Sequence, residues 1–316
     1  MLITSGDPGG VGPELVLRAL ADPGCAGLAE FTVVGNPADF AQPAAALGVR
    51  QPGIHPAGRP GGGPDSGAGP VPVGRPSAAG GQAAVAAVQE AVRLMASGDG
   101  DVLVTAPVSK AALRLAGHPW PGQTEMLADL CGAPDLRVLL MSGPLRVVHV
   151  SAHCSLRAAI DAVTTASVLR TLELGDAIGR RLLGRPPRIA VAGLNPHAGE
   201  HGILGGEDER FIRPAIEQAR SRGMNVDGPW SADTLFPQAV AGQADVAVAM
   251  YHDQGHIPVK LLGRDEGVAV TLGLPFLRMS PDHGAAFDIA GQGVARPGSM
   301  AAAIRAAAAA GRGDPA

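Results

Sequence analysis

Cysteine is scarce in this 316-residue chain: Cys25, Cys131 and Cys154 are odd in number and widely spaced, which suits neither a disulfide framework nor a Cys-x-x-Cys metal knuckle. The opening Met1-Leu2-Ile3-Thr4-Ser5-Gly6 lacks a basic segment leading into an apolar one, so the expectation is a reduced, cytoplasmic protein. Cys154 beside His153 invites a reading as nucleophile, but a small buried thiol next to a functional residue is the expectation. No uninterrupted apolar stretch is long enough to span a bilayer. A formal net charge of -4 without a clustered Lys/Arg run argues against nucleic acid or an anionic membrane as partner. There is no internal repeat, and no Gly-x-Gly-x-x-Gly stands between a predicted strand and helix. Small-molecule chemistry is what these absences leave.

The length suits two domains of ordinary size or one elaborate α/β domain, and two lobes with a cleft between them is the first expectation. Strand, turn and helix alternate along the chain. Leu2 to Ser5 reads as a strand, Gly6 to Gly12 as a glycine-rich turn, and Pro13 as an opening residue of the helix Glu14 to Leu20. Phe31 to Val34 and Asp101 to Thr105 read as strands, with Val85, Val88, Val92 and Met95 at helical spacing between them. Residues 51–81 are dense in Gly and Pro and predict a long surface loop or irregular arm. Val138 to Met141 and Leu145 to Val150, separated only by Ser142-Gly143-Pro144, predict an antiparallel pair within a mixed sheet. Further strands are expected at Ile189 to Leu194, Val246 to Met250 and Val268 to Leu272. Helices are expected near Thr165 to Leu183, Phe211 to Arg222 and Met300 to Ala310.

Three histidines follow apolar runs, in Ser151-Ala152-His153, in Asn195-Pro196-His197-Ala198-Gly199-Glu200, and in Tyr251-His252-Asp253-Gln254-Gly255-His256. Strand ends are where α/β proteins assemble polar chemistry, so three imidazoles there suit one divalent metal. A lone His at a strand end is more often structural; three together shift the balance. Asp253 and Gln254 supply a carboxylate and an amide that could orient the His252 ring. His256 would serve only on a helix, which Gly255 and Pro258 argue against.

Longer blocks resemble the 4-hydroxythreonine-4-phosphate dehydrogenase family of vitamin B6 biosynthesis: Gly6-Asp7-Pro8-Gly9-Gly10-Val11-Gly12-Pro13-Glu14, Thr105-Ala106-Pro107-Val108-Ser109-Lys110, Leu194 to Glu200, Ala232-Asp233-Thr234-Leu235-Phe236, Met250 to Gly255 and Thr271-Leu272-Gly273-Leu274-Pro275-Phe276. The resemblance implies a two-lobed α/β/α fold like that of isocitrate and isopropylmalate dehydrogenases, with a mixed sheet and an interlobe cleft. It implies a cofactor-side lobe of residues 1–127 with 268–316 and a metal-binding, dimerising lobe of residues 128–267. It further implies a homodimer whose active site is completed by the partner, and a divalent metal (Zn, Mg, Mn or Co) on His153, His197 and His252. Two of the three imidazoles would come from one subunit and one from the other. A Lewis-acidic cation favours loss of a hydroxyl proton and hence departure of hydride, here to NAD or NADP. In the family 4-phosphooxy-threonine is oxidised at its 3-hydroxyl, and the 2-amino-3-oxo acid decarboxylates.

Asp282-His283-Gly284-Ala285-Ala286-Phe287-Asp288-Ile289-Ala290-Gly291 resembles the adenosine-holding loop of the wider β-decarboxylating dehydrogenases, which implies cofactor contacts at His283, Gly284, Asp288 and Gly291. Lys260 and Arg278 match the family's anion-binding Lys and Arg. Two positions depart from the pattern: Ala269 stands where the family usually has Asn, and Gln123, before Thr124, replaces a substrate-binding imidazole with a neutral amide. These departures imply retained chemistry on an altered substrate, such as a 4-phospho-threonate or 4-phospho-erythronate. A cyclic dihydrodiol carboxylate is disfavoured because Arg278 is present. Lys110, Asp253 and Asp233 are candidate proton relays; a phosphate contact, support for His252 and a helix cap are their respective alternatives. Two other readings are a non-catalytic metal- or nucleotide-binding regulator and a phosphate acetyltransferase-like enzyme.

Overall fold

The computed structural model describes residues 1–58, 71–263 and 265–311. Its elements run β1 (Leu2–Thr4), α1 (Gly12–Leu20), β2 (Thr32–Gly35), α2 (Ala38–Leu47), β3 (Ile54–Pro56), α3 (Ala78–Ala96), β4 (Val102–Thr105), α4 (Lys110–Leu115) and α5 (Gln123–Leu130). The middle of the chain supplies β5 (Arg137–Ser142), β6 (Leu145–His149), α6 (Leu156–Ala162), α7 (Thr165–Leu183), β7 (Ile189–Ala192), α8 (Arg213–Ser221), β8 (Val226–Trp230), α9 (Ala232–Val240), β9 (Val246–Ala249), α10 (His252–Leu262) and β10 (Val268–Leu272). Last come β11 (Leu277–Pro281) and α11 (Gly298–Gly311). The helices expected at 165–183 and 300–310 are present, as is the antiparallel β5–β6 pair, in which Leu139 faces Val148.

Two compact units share these elements. The first comprises Met1–Leu136 with the stretch from Leu274 through α11. Its strands lie in the order β3-β2-β1-β4-β11. All are parallel. Strands covered on both faces read as continuous apolar runs, as in Leu2-Ile3 and Val102-Leu103-Val104, each at most 2% exposed. One face carries α3, whose Val85, Val88 and Ala91 pack with Leu113, Met126 and Leu127. Ser77 caps α3 by accepting from Gly80 N at 3.0 Å. Gly81 is required within that helix because a β-carbon there would strike the Ala112 carbonyl of α4.

The second unit, Arg137–Gly273, carries β10-β5-β6-β9-β7-β8. Here β10/β5 and β5/β6 are antiparallel, while β6/β9, β9/β7 and β7/β8 are parallel, so this sheet is mixed. Leu140, Leu145, Val147, Leu235, Phe236 and Val259 lie in its core. Asp245, before β9, fastens the start of that strand to the segment leading into β7. Arg185 holds it through two bonds of 2.9 Å, and Arg188 donates from backbone N at 2.8 Å and from its side chain at 3.1 Å.

Several expectations need correcting. The 51–81 stretch is not wholly irregular: Ile54–Pro56 forms β3 beside β2, and α3 begins at Ala78, while residues 59–70 lie outside the described part. Strands β8 and β11 went unpredicted, and the expected helix at 211–222 begins only at Arg213, after a π turn over Asp208–Ile212. Cys154 is exposed rather than buried, because the chain turns outward between β6 and α6.

Candidate active site

In the second unit β6, β9 and β7 are adjacent and parallel, so their C-terminal ends share one edge of the sheet. His153 follows β6, His252 follows β9 and His197 follows β7. The rings of His153 and His252 are 5.9 Å apart. Asp253 Oδ1 lies 2.7 Å from His252 Nδ1. As the carboxylate can only accept, the ring donates from Nδ1, which leaves Nε2 as its outward nitrogen. Gln254 serves elsewhere, contrary to expectation: Oε1 accepts from Met250 N at 2.6 Å and Nε2 donates to Gly193 O at 2.7 Å, stapling the ends of β9 and β7.

The helix that Gly255 and Pro258 were expected to prevent is present as α10, with His252 and His256 one turn apart. Gly255 makes it possible, since a β-carbon there would strike His149 Nε2 and come within 2.8 Å of Val147 Cγ1. Close packing on β6 overrides the bond that Pro258 cannot donate. The His252 and His256 rings stack at 3.5 Å, only 13° from parallel. Their in-plane lone pairs therefore run side by side and do not converge on one ion, so His256 buttresses His252. His149, 1% exposed, lies 3.3 Å from the Val138 carbonyl through Nδ1 and 3.1 Å from His256 Nδ1 through Nε2. Burial first, then the neighbouring His256, pushes its pKa down to about 3. It is therefore neutral, donating to Val138 and accepting from His256. Nothing in the sequence singled out His149 except its place at the end of an apolar run.

His197 sits in an unusual turn. His197, Ala198, Gly199, Glu200 and His201 all have positive φ, from 43° to 79°. For non-glycine residues that conformation costs roughly 1–2 kcal/mol each, and it persists only when surroundings over-determine it. Asp208, fully buried, anchors the entry to this turn: it accepts from Leu194 N at 2.8 Å, Asn195 N at 3.2 Å and Asn195 Nδ2 at 2.8 Å. Sequence reading missed Asp208, although an acidic cluster behind Gly205-Gly206 was a signal. Asp233 is near enough to His197 for a charge interaction. It does not cap α9; Ser231 donates to it at 2.5 Å, and that bond holds its carboxyl below the usual range. Ala269, on β10, packs against the core, and Lys260 lies on the exposed side of α10. Among the described residues no group of three or more His, Cys, Asp and Glu side chains is arranged to hold a metal within one chain.

In the first unit Arg278 lies within β11, 4% exposed. It donates to Thr105 Oγ1 from Nε at 2.9 Å and from Nη2 at 2.6 Å, and to Gln123 Oε1 from Nη2 at 2.7 Å. Burial lowers its pKa to about 10, against the opposing charge of Glu125. Thr105 is thus a site residue the sequence reading left unassigned. Gln123 and Thr124 open α5, while Lys110 opens α4 with its Cε about one van der Waals contact from the side of Gly122. The glycine-rich turn meets the loop over 282–291. Val11 N donates to Ala285 O at 2.9 Å, and a β-carbon on Gly10 would strike that same carbonyl. Glu14 accepts from Ala295 N at 2.9 Å, fastening α1 to the far end of the loop. His283 Nδ1 lies 3.0 Å from Gly284 O, Gln292 Nε2 donates to Asp288 O at 2.7 Å, and Gly291 turns with φ 77°.

Each unit gathers polar side chains where parallel strands end, the arrangement of an α/β enzyme working on small polar molecules. Comparison with known proteins narrows that class. The family model described as pyridoxal phosphate biosynthetic protein PdxA matches residues 33–307, and the chain belongs to this family. Two relatives are each 44% identical over 96% of the chain. One is D-threonate 4-phosphate dehydrogenase of Salmonella typhimurium (96% of its length), the other 4-hydroxythreonine-4-phosphate dehydrogenase of Geobacter metallireducens (93%). The crystal structure of 4-hydroxythreonine-4-phosphate dehydrogenase from Klebsiella pneumoniae superposes with a TM-score of 0.85 at 38% identity, covering 98% of this chain and 99% of that one. A β-decarboxylating dehydrogenase from Thermococcus kodakarensis, 15% identical with a TM-score of 0.53, shares the fold. The protein is therefore an oxidoreductase of the dehydrogenase kind, acting on a CH–OH group.

Proposed function

We propose that the protein oxidises the 3-hydroxyl of a four-carbon, 4-phosphorylated acid with NAD or NADP and releases the carboxyl group as carbon dioxide. The observation that carries this reading is the placement of three histidine-bearing segments at the ends of adjacent parallel strands, with Asp253 fixing the tautomer of His252. His153, His197 and His252 are the donors we assign to a divalent cation (Zn, Mg, Mn or Co). We assign completion of the set to a second copy of the chain. Imidazole donors suit that cation chemically, and the stacked His256 holds one of them in place. When bound, the cation supplies Lewis acidity to the hydroxyl and the nicotinamide accepts hydride.

The chain's own residues do the rest. Arg278, Lys110 and Lys260 supply cationic donors for phosphate and carboxylate, with Thr124 beside Gln123 at the start of α5. Asp253, Asp233 and Lys110 are the groups available to take the hydroxyl proton. Loss of the C3 hydrogen with two electrons, which a bound NAD or NADP would accept, would leave a ketone β to the carboxylate. Cleavage of the C1–C2 bond sends its pair towards the C3 oxygen, and C2 is then protonated. His283, Gly284, Asp288 and Gly291 line the loop we assign to the adenosine portion, seated on the glycine-rich turn. No helix among the described residues is long and apolar enough to cross a membrane, and the three free cysteines suit a reducing cytoplasm.

Purified protein supplied with NAD or NADP, a divalent cation and either 4-phosphooxy-threonine or a 4-phospho-tetronate should produce reduced cofactor. Chelation should abolish the signal and added metal restore it, and His252→Ala should lower kcat at least about a hundredfold. Turnover indifferent to chelator and to His252 would refute the metal assignment.

A further inference from the structure

Sequence identity does not separate the amino acid from the hydroxy acid as substrate, since relatives named for each are equally similar to this chain. The two acids share phosphate, carboxylate and the 3-hydroxyl. They differ in one group at C2, an ammonium against a hydroxyl.

Gln123 has a hydrogen-bonding polarity, fixed by its neighbours, that bears on that difference. Its Oε1 accepts from Arg278 Nη2 at 2.7 Å and from Thr105 Oγ1 at 3.2 Å. Thr105 is free to donate there because its own oxygen already takes both Arg278 bonds. The guanidinium cannot accept, so the amide cannot be turned over without setting N–H against N–H. Its Nε2 is thereby fixed on the other side, and that atom is buried without a hydrogen-bond partner among the described residues. A neutral amide that normally offers one acceptor and two donors has been reduced to donors alone. It stands beside a buried cation.

We propose that Gln123 is a specificity-determining residue that admits an oxygen acceptor at C2 and excludes an ammonium, making the substrate a 4-phosphorylated hydroxy acid rather than the amino acid. This rests on the phosphorylated-acid reading given above. An ammonium carries three donors and no acceptor, so against Nε2 it would leave donors facing donors and add a second positive charge near Arg278. A hydroxyl accepts from Nε2 and keeps its own proton for another partner. Sites that hydrogen-bond a substrate group discriminate strongly, because the wrong group leaves a buried partner unpaired.

The test compares kcat/KM for 4-phospho-threonate, 4-phospho-erythronate and 4-phosphooxy-threonine across wild type, Gln123→Met and Gln123→Glu, with thermal melts to confirm folding. The wild type should prefer at least one hydroxy acid over the amino acid by tenfold or more. Gln123→Met, which keeps bulk but removes both donors, should lose that preference chiefly through a raised KM for the hydroxy acid. Gln123→Glu, which keeps one oxygen for Arg278 and turns the other, an acceptor, to an ammonium, should move the ratio towards the amino acid by about tenfold. A wild type that prefers the amino acid, or ratios that both variants leave unchanged, would overturn the inference and leave the dehydrogenase reading intact. Failure of the metal- and cofactor-supplied wild type on all three acids would overturn both. If neither variant folds, Gln123→Asn, which keeps the amide but draws its nitrogen back by one methylene, takes their place, and a ratio equal to that of wild type would overturn the inference.

Discussion

Asp7 heads the glycine-rich turn fully buried, with Oδ1 accepting from Gly9 N at 2.9 Å and Oδ2 lacking a hydrogen-bond partner among the described residues. Burial, only partly offset by the Gly9 bond, pushes its pKa up to about 6 from 3.8. The direction sets the sign of the pH dependence. Between the two values the native state holds more protons than the unfolded chain, so this group's contribution to stability falls as pH rises through that window. Above pH 6 the carboxylate is charged in a site that disfavours it, at a cost of roughly 3 kcal/mol. Asp7→Asn removes the charge and keeps an acceptor for Gly9. The variant should melt several degrees higher than wild type at pH 7.5 and with little difference at pH 4; an equal gain at both values would show that charge is not the cause.

The left-handed turn over His197–His201 and the helix α10 deliver two of the imidazoles, and both defy local propensity. Asp208 holds the entry to the turn, its two oxygens taking three N–H donors from Leu194 and Asn195. Asp208→Ala would leave those donors without their acceptor, at about 1–3 kcal/mol for each that water does not reach. Amide exchange across residues 193–202 should accelerate at least tenfold while β5 and β6 stay protected. Unchanged exchange would mean that the turn holds itself. These same elements mark where the sequence was legible. The β5–β6 pair and α7 could be read from alternation, spacing and a short connection, which are local properties. Helix α10 could not, because Gly255 and Pro258 are breakers in isolation and only contact with His149 and Val147 makes the helix favourable. Strand β11 was hidden by Arg278, a charge whose burial makes sense only beside Thr105 and Gln123. The positions of His153, His197 and His252 at strand ends followed from apolar runs, whereas Asp208, His149 and Thr105 matter through partners distant in sequence.

Over the whole chain, large apolar side chains left exposed are unevenly shared. Eight of the eleven recorded among the described residues belong to the second unit, including Ile203 at 79%, Ile257 at 56% and Leu261 at 82%. Ile257 and Leu261 are one turn apart on α10, the helix that presents His252. Ile257 and Leu261, exposed on one face of that helix, suit contact with a second copy of the chain. Such contact also suits the shared metal set proposed above. Two-fold symmetry counts each contact twice. If burying a leucine is worth about 1.5–3 kcal/mol, Leu261→Glu should weaken a homodimer by roughly 3–6 kcal/mol, a factor of about a hundred to ten thousand. Because the side chain is exposed within its own chain, the substitution should leave the folded monomer intact by circular dichroism. Analytical ultracentrifugation at micromolar concentration should then give two-chain mass for wild type and one-chain mass for the variant. Metal content per chain and turnover should fall together with the dimer fraction and recover as protein concentration is raised. A variant that dissociates yet keeps full metal content and activity would place the whole site within one chain.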